Sequence, residues 1–207
     1  MTIKLFPALA TLLLAATIPA AASTGTLIVQ VNDAAGAPIV DAVAYAEPAS
    51  GQSLPKVQLP AQIEQKARRF APVVTVVQTG TAISFPNHDS VRHQVYSFSP
   101  AKVFELKLYS GAGGEPIVFD KAGVVVVGCN IHDRMVAYIQ IVDTPYFGKS
   151  DVAGKVSLEN ILPGKYHLKV WHPNLPTSTP PPEQLVTVAD GNLNVALTLP
   201  IKILPPK

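Results

Sequence analysis

Apolar and polar residues alternate along most of the chain after residue 22. Leu27, Val29 and Val31 share one face of the first such segment, and the residues between them share the other. A period of two is typical of a β-strand, because successive side chains point to opposite faces of a sheet. A turn at 32–36 follows, and a second strand is predicted over 39–45.

The same pattern predicts many more short strands. β-Branched and aromatic residues fill these segments, and Gly, Pro, Asn and Asp separate them. They cover residues 73–77, 82–85, 93–98, 103–109, 117–119, 124–129, 136–142, 155–158, 166–171, 185–188 and 193–199. Only 60–70 is a candidate for a turn or two of helix, although its Arg and Gln side chains fit a solvated face equally well. The pattern indicates an all-β fold of antiparallel sandwiches.

The first 22 residues have the three parts of a secretory signal peptide. Lys4 supplies the charge, residues 5–18 form the apolar stretch, and alanines at 20–22 precede a cleavage site at Ser23. The apolar stretch is short for a membrane span, although an uncleaved anchor is the alternative interpretation. We therefore expect an exported protein of the bacterial periplasm, with no membrane attachment after cleavage of the signal.

Composition removes several classes of protein. With 48% hydrophobic and 14% charged residues, the chain is too apolar to be disordered. A formal net charge of +2 is too small to suggest a nucleic-acid partner. The one cysteine excludes a disulfide framework, a multi-cysteine zinc finger and a c-type haem attachment, which needs two cysteines. In an oxidising compartment a lone thiol persists when it is buried or held by a metal.

That cysteine stands in a short run of metal-ligating residues. Cys129, His132 and Met135 have Cys-x2-His-x2-Met spacing, and His93 lies at the start of a predicted strand. A thiolate and two imidazoles in a near-trigonal plane, with a distant thioether on the axis, form a type 1 (blue) copper site. Thiolate and thioether suit Cu(I), and imidazole also suits Cu(II), so such a site accepts both oxidation states. We therefore predict one copper ion bound by His93, Cys129, His132 and Met135.

Other interpretations of these residues stay open. His88 is a rival for His93, although it lies in a polar turn. Zinc could use the cysteine and the histidines, but it gains nothing from a thioether. Cys129 could be a buried structural thiol and Met135 an ordinary core side chain. A Cys–His nucleophile pair would lack a glycine-rich oxyanion element around Cys129.

The segment 62–142 resembles the cupredoxins. Its ligand loop has the short spacing seen in amicyanin, and Phe85, Asn87, Asp89 and His93 match the pattern of strand, Asn, acidic residue and His that precedes the first ligand. The resemblance implies a Greek-key β-sandwich in which the last strand follows the ligand loop.

The resemblance also implies a role for each ligand. His93, Cys129 and His132 would be the equatorial ligands, with His132 at the exposed edge, and Met135 would be the axial ligand. Gln94 departs from the pattern, because cupredoxins commonly have there an Asn whose side chain ties the two ligand loops together. This departure puts the rigidity of the site in doubt.

Two further strings resemble the carboxypeptidase regulatory-like family of small β-sandwiches. They are D-A-A-G-A-P-I at 33–39 and L-P-G-K-Y at 162–166. We predict one such sandwich from residues 23–49 and 149–207, with the cupredoxin domain, 50–148, inserted between them. The alternative is two unrelated β-segments that pack beside the middle. Chains of this build are similar to methylamine utilization proteins, a label that implies a genomic association and no particular substrate.

These resemblances imply a function without a transformed substrate. We expect a monomeric electron carrier, not an enzyme, that moves single electrons between partners such as a c-type cytochrome and a periplasmic dehydrogenase. Copper storage, delivery or resistance is the alternative, although the Met-rich or His-rich tracts common in copper handlers do not occur in the sequence. A structural or adhesive β-protein with incidental copper is the third hypothesis.

Overall fold

A computed structural model describes residues 23–52, 54–57 and 59–203. Every regular element in these ranges is a β-strand, so the predicted all-β class is confirmed. No helix in this part of the chain has the length and apolar character needed to cross a membrane. The predicted signal peptide, residues 1–22, lies outside the described residues.

The strands follow one another in chain order with short connections. They are β1 (Gly25–Asn32), β2 (Val43–Pro48), β3 (Ala61–Gln62), β4 (Glu64–Lys66), β5 (Arg69–Ala71), β6 (Val74–Gln78), β7 (Thr81–Ser84), β8 (His93–Ser99), β9 (Lys102–Tyr109), β10 (Ile117–Phe119), β11 (Gly123–Gly128), β12 (Val136–Val142), β13 (Phe147–Lys149), β14 (Lys155–Ile161), β15 (Gly164–Trp171), β16 (Glu183–Val188) and β17 (Gly191–Thr198).

Strands from the two flanks of the described chain form two sheets. In the first, β1 lies between β14, to which it is antiparallel, and β17, to which it is parallel. The second sheet is antiparallel, with the order β13-β2-β15-β16. The inward side chains of both sheets share one apolar core, which includes Leu27, Val29, Ala44, Val156, Leu158, Tyr166 and Leu168.

The middle of the chain forms a second core. A five-stranded sheet has the order β6-β12-β11-β8-β9, a three-stranded sheet has the order β10-β7-β3, and β4 and β5 form a hairpin. Their buried side chains include Ile63, Phe70, Ile83, Phe85, Phe119, Val125, Ile139 and Ile141. Cys129 and Met135 belong to this same core, so the predicted ligand loop is anchored in the interior of the central sheets.

The two cores are in contact. Val74, on the edge strand β6, and Val142, at the end of β12, pack into the core of the flanking strands. Tyr138 of β12 also lies against Trp171 of β15, with ring centroids 6.4 Å apart. Central and flanking strands therefore pack on each other directly.

The predicted second strand begins later than expected. The prediction was 39–45, whereas β2 covers Val43–Pro48. Ile39 is buried, but Asp41 has a φ of 60°, and this left-handed conformation interrupts an extended segment. Burial of an apolar residue is thus not enough to make residues 39–42 part of a sheet.

The candidate helix over 60–70 is wrong. This segment contains β3 and the hairpin β4–β5, in which Gln65 is opposite Phe70. Ile63 and Gln65 point inward from one side of the hairpin and Phe70 points inward from the other, so the period along the first side is two and not 3.6. A buried glutamine disguised this alternation, since the side-chain NH2 group of Gln65 points inward and donates to the carbonyl of Phe85 at 3.0 Å.

Candidate metal centre

Two neighbouring strands bring the candidate ligands to one edge of the five-stranded sheet. Cys129 directly follows β11, and His93 is the first residue of β8. Because β11 and β8 are antiparallel neighbours, the end of the first lies beside the start of the second. The sheet therefore places the thiol and the first imidazole together, although 36 positions separate them in the sequence.

The ligand loop is closed by its own backbone. The N–H of Cys129 donates to the carbonyl of Met135 at 3.2 Å, and the N–H of Met135 donates to the carbonyl of His132 at 2.9 Å. These bonds fold residues 129–135 into a tight turn between β11 and β12. His132, in the middle of the loop, is thereby directed back toward Cys129.

Three side chains converge. One ligand atom from each of His93, Cys129 and His132 lies within 4.8 Å of the other two. The Sγ of Cys129 is 3.9 Å from Nδ1 of His93, and the two imidazole rings are 4.9 Å apart between centroids, at 65°. Atoms that bind one ion at about 2.0–2.3 Å come within roughly 4.5 Å of each other. The three groups are thus close to the spacing that a single metal ion requires.

The burial of these groups also fits a metal. His93 has no exposed surface and Cys129 is 5% exposed, whereas His132 is half-buried. The Nδ1 atom of His132 is buried and has no hydrogen-bond partner among the described residues. A buried polar atom without a partner is unfavourable, and a coordinated metal ion would satisfy this nitrogen. One thiolate and two imidazoles therefore form a donor set that fits copper or zinc.

Asp89 fixes the orientation of His93. Its Oδ2 lies 2.8 Å from Nε2 of His93, so the imidazole donates its Nε2 proton to the carboxylate. The other nitrogen, Nδ1, then keeps its lone pair on the side that faces Cys129. A carboxylate behind a ligating histidine is a common arrangement in metal sites, since it holds the ring and increases its basicity.

Asp89 is also the anchor of the hairpin β4–β5. The backbone N–H groups of Ala67 and Arg68, at the tip of the hairpin, donate to Oδ1 and Oδ2 of Asp89 at 2.6 and 2.9 Å. Burial alone would raise the pKa of this carboxyl, but the hydrogen bonds from Arg68, His93 and Ala67 outweigh burial and lower it. Asp89 is therefore ionised at neutral pH. Sequence reasoning gave it no role of its own, although its spacing of four residues from His93 was visible.

The structure separates the two rival histidines. The side chain of His88 is 51% exposed and lies 3.6 Å from the carboxylate of Glu64, outside the cluster. His93 is the imidazole that meets Cys129. Gln94 donates its amide to Glu105 of the neighbouring strand β9, at 2.6 Å, and not to the ligand loop.

Met135 is the fourth predicted ligand. Its side chain is 1% exposed and lies in the same buried cluster as Cys129. It immediately precedes β12, so the closing strand fixes its backbone. This position fits a thioether ligand at the metal centre and fits an ordinary core side chain equally well. Substitution of Met135 distinguishes the two roles.

Comparisons with known proteins give structural neighbours only. No family model and no curated protein matches the chain. Among solved structures, the purple cupredoxin from Nitrosopumilus maritimus has 26% identity over 40% of this chain and 99% of its own, with a TM-score of 0.33. Amicyanin from Paracoccus versutus has 13% identity over 47% of this chain and 91% of its own, with a TM-score of 0.36.

A larger copper protein is also similar in part. The Cu-containing nitrite reductase from Thermus scotoductus SA-01 has 23% identity over 47% of this chain, with a TM-score of 0.39. The match spans only 27% of the reductase chain. Because all three TM-scores lie below 0.5, the chemistry of the candidate centre is inferred from its own side chains.

Proposed function

We propose that this chain is a type 1 copper protein that carries single electrons in the periplasm. One copper ion would be held by His93, Cys129 and His132 as equatorial ligands and by Met135 on the axis. The observation that carries the proposal is the convergence of one buried thiol and two imidazoles within 4.8 Å. Bound copper would supply a one-electron couple between Cu(I) and Cu(II).

The donor set favours copper over zinc. Zinc sites draw on Cys, His and carboxylate ligands, and a thioether contributes nothing to them. Here the single methionine after residue 22 closes the same loop as Cys129 and His132. Soft sulfur ligands suit Cu(I), whereas imidazole suits Cu(II), so both states are accommodated without a change of ligands.

The surroundings favour redox cycling with little rearrangement. His93 is held by Asp89, and the loop of Cys129 and Met135 is closed by backbone hydrogen bonds. Held ligands cannot move far when the oxidation state changes, and this lowers the reorganisation that electron transfer requires. The shielding of Cys129 from solvent also disfavours a nucleophilic role toward an external substrate, which supports a carrier and not an enzyme.

His132 would be the point where electrons leave or enter. It is half-buried, whereas His93 and Cys129 are buried, so it is the most accessible of the three converging groups. A protein partner that docks over His132 would approach the metal most closely. Such partners would be a c-type cytochrome or a periplasmic dehydrogenase, and the protein would act as a monomer.

We further propose the domain organisation predicted from the sequence. Residues 23–49 and 149–207 would form a carboxypeptidase regulatory-like sandwich, with the cupredoxin domain, 50–148, inserted between them. Support comes from the two sheets that combine β1 and β2 with β13–β17 around a shared core. The similarity to methylamine utilization proteins stays a prediction, and so does removal of residues 1–22 during export.

Electrochemistry tests the carrier function. Copper-loaded protein is expected to bind one ion per chain and to give a reversible one-electron wave. His93→Ala should abolish the wave, and the matched variant His88→Ala should retain it, because His88 lies outside the cluster. A protein that binds Cu(I) tightly but gives no reversible wave would contradict electron transfer and favour copper storage or delivery.

A further inference from the structure

A cleft of about 770 Å³ opens beside His132. Its walls come from the hairpin β4–β5 on one side and from the ligand loop and β12 on the other. Arg68 and Arg69 line the first wall, and Arg134 lines the second. We call this feature the arginine cleft.

The positive charge of the arginine cleft is concentrated and unpaired. Arg68, Arg69 and Arg134 are three of the four arginines in the chain, and all three are exposed. None of them forms an ion pair with another described residue. Asp133 is the one acidic residue among those that line the cleft. Because the formal net charge of the whole chain is only +2, this is a local positive field and not a general property of the surface.

The arginines are held in place by the same carboxylate that orients a candidate ligand. Asp89 accepts hydrogen bonds from the backbone of Ala67 and Arg68 while it holds His93. The backbone that carries Arg68 and Arg69 is therefore fixed relative to the candidate centre. A prearranged charged surface loses less conformational entropy when a partner binds.

The floor of the cleft is apolar. Phe70 is buried below it, Val73 is 51% exposed within it, and Tyr138 is half-buried at its side. An apolar and aromatic centre with arginines around it is typical of a protein–protein interface. A surface that binds a nucleic-acid backbone is instead dominated by positive charge along its length. The combination in this cleft favours a protein partner.

We infer that the arginine cleft docks an acidic patch on the redox partner, and this inference rests on the proposed electron-carrier function. Carboxylates of the partner pair with Arg68, Arg69 and Arg134, since a guanidinium binds a carboxylate through two parallel hydrogen bonds. The partner then lies over His132. One electron leaves the reduced protein and reduces the partner by one electron, with no transfer of a proton or a group.

Binding is tested without any metal. Metal-free, nitrogen-15-labelled protein is titrated with poly-L-glutamate, and amide shifts are followed by NMR. The expected shifts cluster at 66–70 and 131–136. The triple variant Arg68→Gln/Arg69→Gln/Arg134→Gln should weaken binding about tenfold. The control Lys121→Gln/Lys155→Gln/Lys165→Gln removes the same charge from exposed positions outside the cleft and should bind as the parent does.

Electron transfer at the cleft is tested with small redox reagents. The anion hexacyanoferrate(III) should oxidise the reduced, copper-loaded protein more slowly as ionic strength rises. At low salt, the rate of this oxidation should be about tenfold lower in the arginine variant than in the parent. Oxidation by the cation tris(phenanthroline)cobalt(III) should become faster in that variant. The lysine variant should keep the rates of the parent with both reagents.

The outcomes separate the two proposals. If the copper protein cycles reversibly but the arginine and lysine variants behave alike, the docking inference is overturned and the carrier function stands. If metal-free protein binds poly-L-glutamate at the cleft but the copper protein shows no redox cycling, the carrier function fails and an acidic partner of another kind is indicated. Tighter binding of single-stranded polyuridylate than of poly-L-glutamate would overturn the choice of a protein partner.

Discussion

The carboxylate of Asp89 joins two parts of the molecule that lie more than 20 positions apart. One oxygen accepts from the ring of His93 and from Arg68, and the other accepts from Ala67. Gln94 stands where cupredoxins commonly have an Asn that ties the ligand loops together, and its amide donates to Glu105 and not to the ligand loop. At the scale of single residues, the task of keeping His93 rigid therefore falls to Asp89.

Replacing Asp89 should weaken copper binding. In Asp89→Ala the ring of His93 loses its acceptor and is free to rotate, so copper affinity should fall about tenfold or more. A competition titration against a chelator measures the affinity. Asp133→Ala is the control, because Asp133 lines the cleft but has no bond to His93. Equal affinities in Asp89→Ala and in the parent would show that the packing around His93 holds the ring without the carboxylate.

The role of Met135 is testable with a substitution that keeps its volume. Met135→Leu should retain the colour of the copper protein, since the thiolate is unchanged. Its reduction potential should rise by tens of millivolts, because Cu(I) is stable with the three equatorial ligands alone, whereas Cu(II) gains more from a fourth donor on the axis. The swap should cost less than about 1.5 kcal/mol of stability. An unchanged potential would mean that Met135 is a core side chain only.

Among the structural elements, features encoded within one short segment are predicted well from the sequence, whereas contacts between distant segments are not. Alternation located most strands, and the spacing within 129–135 located the ligand loop, because both signals are local. The parallel pairing of β1 with β17 and the bond between Asp89 and the hairpin tip join distant segments, and no local pattern reports such contacts. The hairpin itself was missed because its turn lacks Asn-Gly.

That turn is a site of backbone strain. Ala67 and Arg68 have φ values of 54° and 56°, the left-handed conformation of a two-residue hairpin turn. Asn adopts this conformation more readily than Ala does, so Ala67→Asn should stabilise the protein by about 0.5–1 kcal/mol. Thermal unfolding measures the gain. The matched change Ala71→Asn, at the end of β5, should give no such gain. A lower melting temperature for Ala67→Asn would contradict the assigned turn.

The whole molecule is built so that the two cores support each other. Val74 and Val142 of the central strands pack into the core of the flanking strands, and the ring of Tyr138 lies against that of Trp171 at a tilt of 56°. Apolar contacts of this kind couple the unfolding of the parts that share them. The flanking strands are therefore expected to stabilise the candidate centre and not only to accompany it.

Coupled unfolding has a direct test, because the chain contains a single tryptophan. Fluorescence of Trp171 reports on the flanking core, and the visible colour of bound copper would report on the centre. The two signals should change at the same temperature, as coincident transitions require. Two transitions separated by several degrees would show that the cores unfold independently.

The visible spectrum of the oxidised, copper-loaded protein is the decisive test of a copper centre built on Cys129. A thiolate bound to Cu(II) in a type 1 site is predicted to give an intense band at about 600 nm. The band should vanish in Cys129→Ser and persist in His88→Ala, since only the first substitution removes a predicted ligand. A protein with no intense band, or one whose colour survives in Cys129→Ser, would contradict a copper centre built on Cys129.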